Sequence, residues 1–152
     1  MKLGLELQGA EELRAALLTL SKAVRRRALY DVLRPAADPI KWRMAELAPR
    51  QAGIGGGGLA DNIDVSPATR IGSVAGGKWA AADEFQAAVA IGPTKDFYYA
   101  IFQEYGTVHH GAHPFGRPSF DTEKDESLEI IGKGLWALLE DAAAKRGRFE
   151  ED

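Results

Sequence analysis

The sequence predicts an α+β fold: an antiparallel sheet flanked by a long N-terminal helix, kinked near Pro35, and a C-terminal helix. Three observations carry this expectation. Apolar residues recur every three or four positions near both ends of the chain, at Leu13, Leu17, Leu20, Val24, Ala28 and Val32, and at Leu128, Ile131, Leu135, Leu138, Leu139 and Ala142. Between them, residues 59 to 92 hold short apolar runs bounded by glycine and proline, the pattern of strands. At 152 residues the chain has the size of one domain, so these elements share one core.

Residues 3–8 alternate leucine with Gly4, Glu6 and Gln8, which suits a short strand preceding the first helix. That helix places Glu11 and Glu12 in its first turn and Arg25, Arg26 and Arg27 later, the arrangement its dipole favours. Pro35 removes a backbone donor and crowds the preceding turn, so a break is expected near Pro35 to Pro39. Ile40, Met44 and Leu47 then resume the period as far as about Ala48. Trp42 is expected in the core with Met44. Residues 53–58, with glycine at five of six positions, form a flexible loop. Strands are expected at 59–66, 69–74 and 87–92, with a hairpin excursion or exposed loop at 75–86. Residues 97–105 read equally as strand or short helix, and 106–118 as an irregular loop. The last helix is expected from about Thr122 to Lys145, and residues 146–152 as a charged tail.

Composition narrows the chemistry. Without cysteine the chain has no disulfide, no thiolate nucleophile and no cysteine-built zinc site. No apolar run approaches the roughly 20 residues that cross a bilayer, so no membrane partner is expected, and the start lacks the apolar stretch of a signal peptide. The net charge of −3 hides an asymmetry: residues 1–50 carry ten Lys/Arg against six Asp/Glu, and the remainder nine against sixteen. Such a split serves nucleic-acid contact or makes two ends of a subunit complementary to its neighbours.

The order of motifs carries a resemblance. Gly9-Ala10-Glu11-Glu12-Leu13 opens a basic amphipathic helix that ends in Ala48-Pro49 and a glycine loop. Then come Ile91-Gly92-Pro93, Glu104-Tyr105-Gly106-Thr107 and His113-Pro114-Phe115-Gly116-Arg117-Pro118, followed by an amphipathic helix. Over nearly its whole length this resembles the head–tail joining, or tail-completion, family of lambdoid siphophages, the group like gene product ten of phage HK-ninety-seven. It departs in a longer glycine loop and an apparent insertion at 71–86. The resemblance implies a virion component, assembled in the host cytoplasm and placed at the neck between portal stack and tail tube. Such proteins act as closed rings, usually hexameric. The implied partners are other copies of the chain, the stopper and terminator proteins, the tail tube and DNA passing through the channel. No active site and no cofactor are implied.

Several residues invite specific roles. In Glu104-Tyr105-Gly106-Thr107, Gly106 supplies a positive φ while Tyr105 packs in the core, or the turn joins Tyr98, Tyr99 and Phe102 in presenting aromatics to a neighbour. His113, Phe115 and Arg117 extend that expected interface. His109, His110 and His113 match no closed metal-ligand spacing, so no metal is expected. Arg25, Arg26, Arg27 and Arg34 form a basic face for DNA or for an acidic neighbouring subunit. The glycine run lacks the Lys-Ser/Thr of a phosphate-binding loop, and no nucleophile elbow or His-Glu-x-x-His occurs, so an enzyme is not expected. Two alternatives to the joining role are a tail terminator, which caps the tube and fixes its length, and a nucleic-acid-binding protein.

Overall fold

A computed structural model describes residues 10–18, 21–50, 58–68, 70–72, 79–81 and 87–147. The expected strand at 3–8, residues 53–57 of the glycine loop and residues 148–152 of the charged tail lie outside them. The elements are α1 (Ala10–Leu18), α2 (Lys22–Leu47), β1 (Ile63–Ala68), β2 (Arg70–Gly72), β3 (Trp79–Ala81), β4 (Ala88–Pro93), α3 (Ala100–Tyr105) and α4 (Gly116–Gly147). Short 3₁₀ turns at Leu59–Asn62 and Lys95–Phe97 lead into β1 and α3. The fold is α+β, with a long helix towards each end of the chain and antiparallel strand pairs between.

The N-terminal helical region is interrupted at a different place from the one its prolines suggest. α1 ends at Leu18, and α2 starts after Ser21, whose side chain accepts a hydrogen bond from the Val24 N–H at 3.5 Å. From there α2 continues through both Pro35 and Pro39 instead of breaking. Each proline deletes one backbone bond, and the four-residue spacing stacks the two gaps on one side of the helix. Asp31 and Pro35 are exposed, so the first gap faces solvent, while Ala36, Ala37 and Ile40 are buried. Trp42, expected in the core, is 68% exposed. The buried positions 36, 40, 44 and 48 follow one stripe, and residue 42 lies about 200° around the helix from residue 40.

β1 pairs with β4 antiparallel, from Ile63 opposite Pro93 to Ala68 opposite Ala88. Ile63 and Val65 are buried while Asp64 and Ser66 are exposed, so one face of the pair turns to the core. The excursion between these strands contains a second antiparallel pair, β2 with β3. Met44, Ala48, Leu59, Ala60, Ile63, Ala100 and Phe115 form the main core, joined by Ile91 and Phe97.

α2 and α4 pack antiparallel, because Met44 lies beside Gly116 while Val32 lies beside Gly134. At the second point the helices approach so closely that a Cβ on Gly134 would meet Val32 Cγ1 at 2.7 Å. Gly132, two residues earlier, has nothing within 4 Å. Gly134→Leu is therefore expected to lower the stability read from urea unfolding by about 1–3 kcal/mol. Gly132→Ala should raise it by about 0.5–1 kcal/mol through helix propensity alone.

Candidate functional site

The segment from Thr94 to Arg117 folds back and forth across one end of the molecule. Thr94 takes the Phe97 N–H at 2.9 Å to close the 3₁₀ turn, and α3 follows. Gly106 ends α3 at φ 74°, donating its N–H to the Phe102 carbonyl at 2.9 Å. A Cβ there would sit 2.9 Å from the Ala112 nitrogen and the His110 oxygen, so glycine is required both for conformation and for space. Thr107 and His110 then close a tight turn, Thr107 N–H to His110 carbonyl at 2.8 Å, with Val108 at its exposed tip. The His113 N–H returns to the Gln103 carbonyl at 2.7 Å, laying the chain back against α3.

This return delivers α4 to Glu104. The buried carboxylate accepts the backbone N–H groups of Phe115 and Gly116 on Oε2, both at 2.8 Å, and that of Arg117 on Oε1 at 3.1 Å. The Arg117 side chain adds a fourth bond, Nε to Oε1 at 3.2 Å. The next residue, Pro118, has no N–H to satisfy. Every orphan donor in the first turn of α4 is thus either held by Glu104 or absent, and the negative charge sits at the positive end of the helix. Burial by itself raises the Glu104 pKa. The bonds from the Gly116, Phe115 and Arg117 N–H groups and the Arg117 guanidinium outweigh it and hold the carboxyl below its ordinary 4.5.

Sequence reasoning missed this cap. It started the last helix at about Thr122 and read Pro118 as loop, whereas Pro118 occupies the first helical turn, where proline is favoured. The available signal was that proline three residues after Phe115, but the capping side chain lies twelve residues before the first residue of the helix.

The expected interface residues divide. Tyr98 is 77% exposed and Tyr105 58%, and Tyr99, Ile101, Phe102 and Val108 are exposed beside them. The expectation that Tyr105 packs in the core is overturned: its ring lies outside, with the Arg117 guanidinium 4.9 Å from the centroid. Thr107, His113 and the Arg117 side chain are also exposed. Phe115 is not an interface residue in this fold, being 3% exposed in the main core, and Glu104 serves inside the chain as the cap. Beside the aromatics a groove of about 580 Å³ runs between β4, α3 and the start of α4, floored by Met44, Ile91 and Phe115.

The basic face is smaller than its sequence suggests. Arg25 is buried, Arg27 pairs with Asp31 at 3.4 Å, and Arg26 and Arg34 are exposed. The His110 and His113 rings lie 5.3 Å apart, and His110 Nε2 is 3.1 Å from the Gln103 side-chain oxygen. No three His, Cys, Asp or Glu side chains among the described residues converge as a metal site. No helix among the described residues is long and apolar enough to cross a membrane. The chain matches no family model, no curated protein and no solved structure.

The cap has a pH signature. Because the folded carboxyl titrates below 4.5, its stabilisation is complete above about pH 4.5 and is lost as pH falls through the folded value. Glu104→Gln is expected to cost roughly 2 kcal/mol at pH 7. The cost should shrink as the solution is acidified towards about pH 3. Urea unfolding of both proteins across that range measures it, and a constant difference would show that the charge is not what caps α4.

Proposed function

We propose that this protein is a structural component of a bacteriophage neck, joining tail to head or completing the proximal end of the tail as part of a homo-oligomeric ring. The observation that carries the reading is the exposed run Tyr98, Tyr99, Ile101, Phe102, Tyr105 and Val108, six large apolar or aromatic side chains within eleven residues. Aromatics bury much area with few rotors to freeze, so such a cluster on a soluble chain is an interface awaiting a partner. It occupies the same stretch as the Glu104-Tyr105-Gly106-Thr107 and Pro114 to Pro118 motifs that resemble the tail-completion family.

The mechanism is binding. The Glu104 cap and the Gly106 turn fix the backbone beneath the aromatics, so little ordering remains to be done when a neighbour docks. On this reading the partners are further copies of the chain, with an aromatic face on one side and the exposed Arg26 and Arg34 face for acidic residues of the next subunit. The terminator role shares this chemistry and differs in the phenotype it predicts. Nucleic-acid binding through α2 is weakened as a reading by the burial of Arg25 and the pairing of Arg27.

Electron microscopy of a lysate from a phage lacking this gene tests the assignment. DNA-filled heads beside separate tails of normal length are expected. Overlong tails would make the protein a terminator, and intact infectious virions would remove it from the neck. Tyr98→Ala with Phe102→Ala should reproduce the deletion phenotype while leaving the free energy of urea unfolding within about 0.5 kcal/mol of the parent, since both rings are exposed.

A further inference from the structure

Gln103 holds two histidines at once. It lies in α3, and its carbonyl is among the last four of that helix, which have no partner within it. The His113 N–H donates to that carbonyl at 2.7 Å. The side-chain oxygen of the same residue lies 3.1 Å from His110 Nε2. One residue thus fixes the backbone of His113 and the ring of His110.

The chain between them is equally constrained. Gly106 turns it at φ 74°, where a Cβ would strike backbone atoms of His110 and Ala112. Thr107 and His110 then exchange two backbone bonds, at 2.8 and 3.3 Å, and the His109 N–H donates to Thr107 Oγ1 at 3.3 Å. His110 closes this tight turn, and His113 is where the chain returns to α3. Their rings lie 5.3 Å apart between centres and are tilted by 46°. Both residues are exposed.

That spacing has a chemical meaning. Zn–N bonds are about 2.0–2.1 Å, so two imidazoles on one tetrahedral ion hold their ring centres about 5 Å apart. Plain aromatic pairs span about 4.5–7 Å, so the distance alone does not decide. Gln103 favours the metal. With its side-chain oxygen as acceptor, His110 Nε2 carries the hydrogen, and Nδ1 keeps its lone pair. Metal-bound histidines are oriented in this way, the second ring nitrogen donating to an oxygen.

We propose that His110, through Nδ1, and His113 chelate one divalent transition-metal ion, with Gln103 as the positioning residue. Imidazole suits zinc, copper and nickel, whereas magnesium and calcium take oxygen ligands. The spacing of His109, His110 and His113 matches no closed ligand set, and two rings make an open one. No third histidine or carboxylate among the described residues converges with the pair, so water fills the rest of the coordination sphere. Such an ion is exchangeable and sits at the surface, in the same turn as the exposed Val108. Both ligands are held by backbone bonds before it arrives, which lowers the cost of binding. The proposal does not rest on the neck assignment.

Calorimetric titration of the full, tag-free chain with zinc sulfate at about pH 7.5 tests it. Binding should saturate at one ion per chain, and excess magnesium should not compete. His110→Ala and His113→Ala should each weaken it at least ~100-fold, since the remaining ring then binds alone. His109→Ala should leave it unchanged, which separates a chelate from the general attraction of a histidine-rich turn. Gln103→Ala should weaken it about 10-fold, and Gln103→Glu, which keeps an oxygen acceptor, should restore it. All three histidines are exposed, so their variants should unfold at the parent's urea concentration. Nitrogen NMR of the imidazoles gives a second readout: zinc should shift His110 Nδ1 and leave Nε2 protonated. Absence of saturable binding, equal affinity in His110→Ala, or loss of binding in His109→Ala would each overturn the proposal. So would zinc on His110 Nε2.

Discussion

The architecture depends on one buried carboxylate. Glu104 binds the N–H groups of Phe115, Gly116 and Arg117, and in doing so it fixes where the 32-residue α4 begins and which way each of its faces points. Phe115 is held in the core beside Met44, and a one-residue slip at this end, about 100° of rotation, would carry Gly134 away from Val32 at the other. The close approach of α2 and α4 tolerates no such slip, because an interior packed this tightly leaves no room for an alternative side chain. Replacing four hydrogen bonds to a charge at a helix start would need a comparable acceptor.

The same interaction links the core to the surface. Arg117 grips Glu104 from outside and lies over the Tyr105 ring, so a buried acid and an exposed aromatic share a single guanidinium. An interface built on loops is ordinarily imprecise. Here Tyr98 to Val108 is bracketed by a 3₁₀ turn, a capped helix and the Thr107–His110 turn, each closed by short backbone bonds. On the proposed reading, rigid support of this kind would let a small set of aromatics act as anchors.

How much of this was legible in the sequence follows a physical division. Elements whose signal is local came through: the alternation at Ile63 and Val65, the apolar run ending at Pro93 and the period of α4. The α+β class followed from them. Features set by distant partners did not. Pro35 and Pro39 looked like a break because propensity is read one residue at a time, while the packing of Ala36, Ala37 and Ile40 holds α2 together across them. Trp42 was placed inside because it is large and apolar, yet its helical phase turns it outward; of the two readings of Tyr105, core or surface, the ring takes the surface one, beside the Arg117 guanidinium. Arg25 and Phe115 went the opposite way, inward, Phe115 into the core beside Met44. At the candidate site, the aromatics and Gly106 were readable from composition and turn chemistry. The cap was not, since its donor set and its acceptor belong to different elements.

That separation, eleven to thirteen residues between Glu104 and the groups it holds, also bears on how the chain folds. A loop of this size closes in about 10–100 ns, far faster than any pairing that must bring α2 to α4. Starting a helix is its costly step, with a nucleation constant of roughly 10⁻³. A carboxylate already waiting when residues 115–117 appear lowers that cost at one end only. The longest helix would then grow in one direction, from Gly116 outward, and reach Gly134 with its first turn already set. On a ribosome Glu104 is made before the helix it caps, so the order of synthesis and the order of folding coincide.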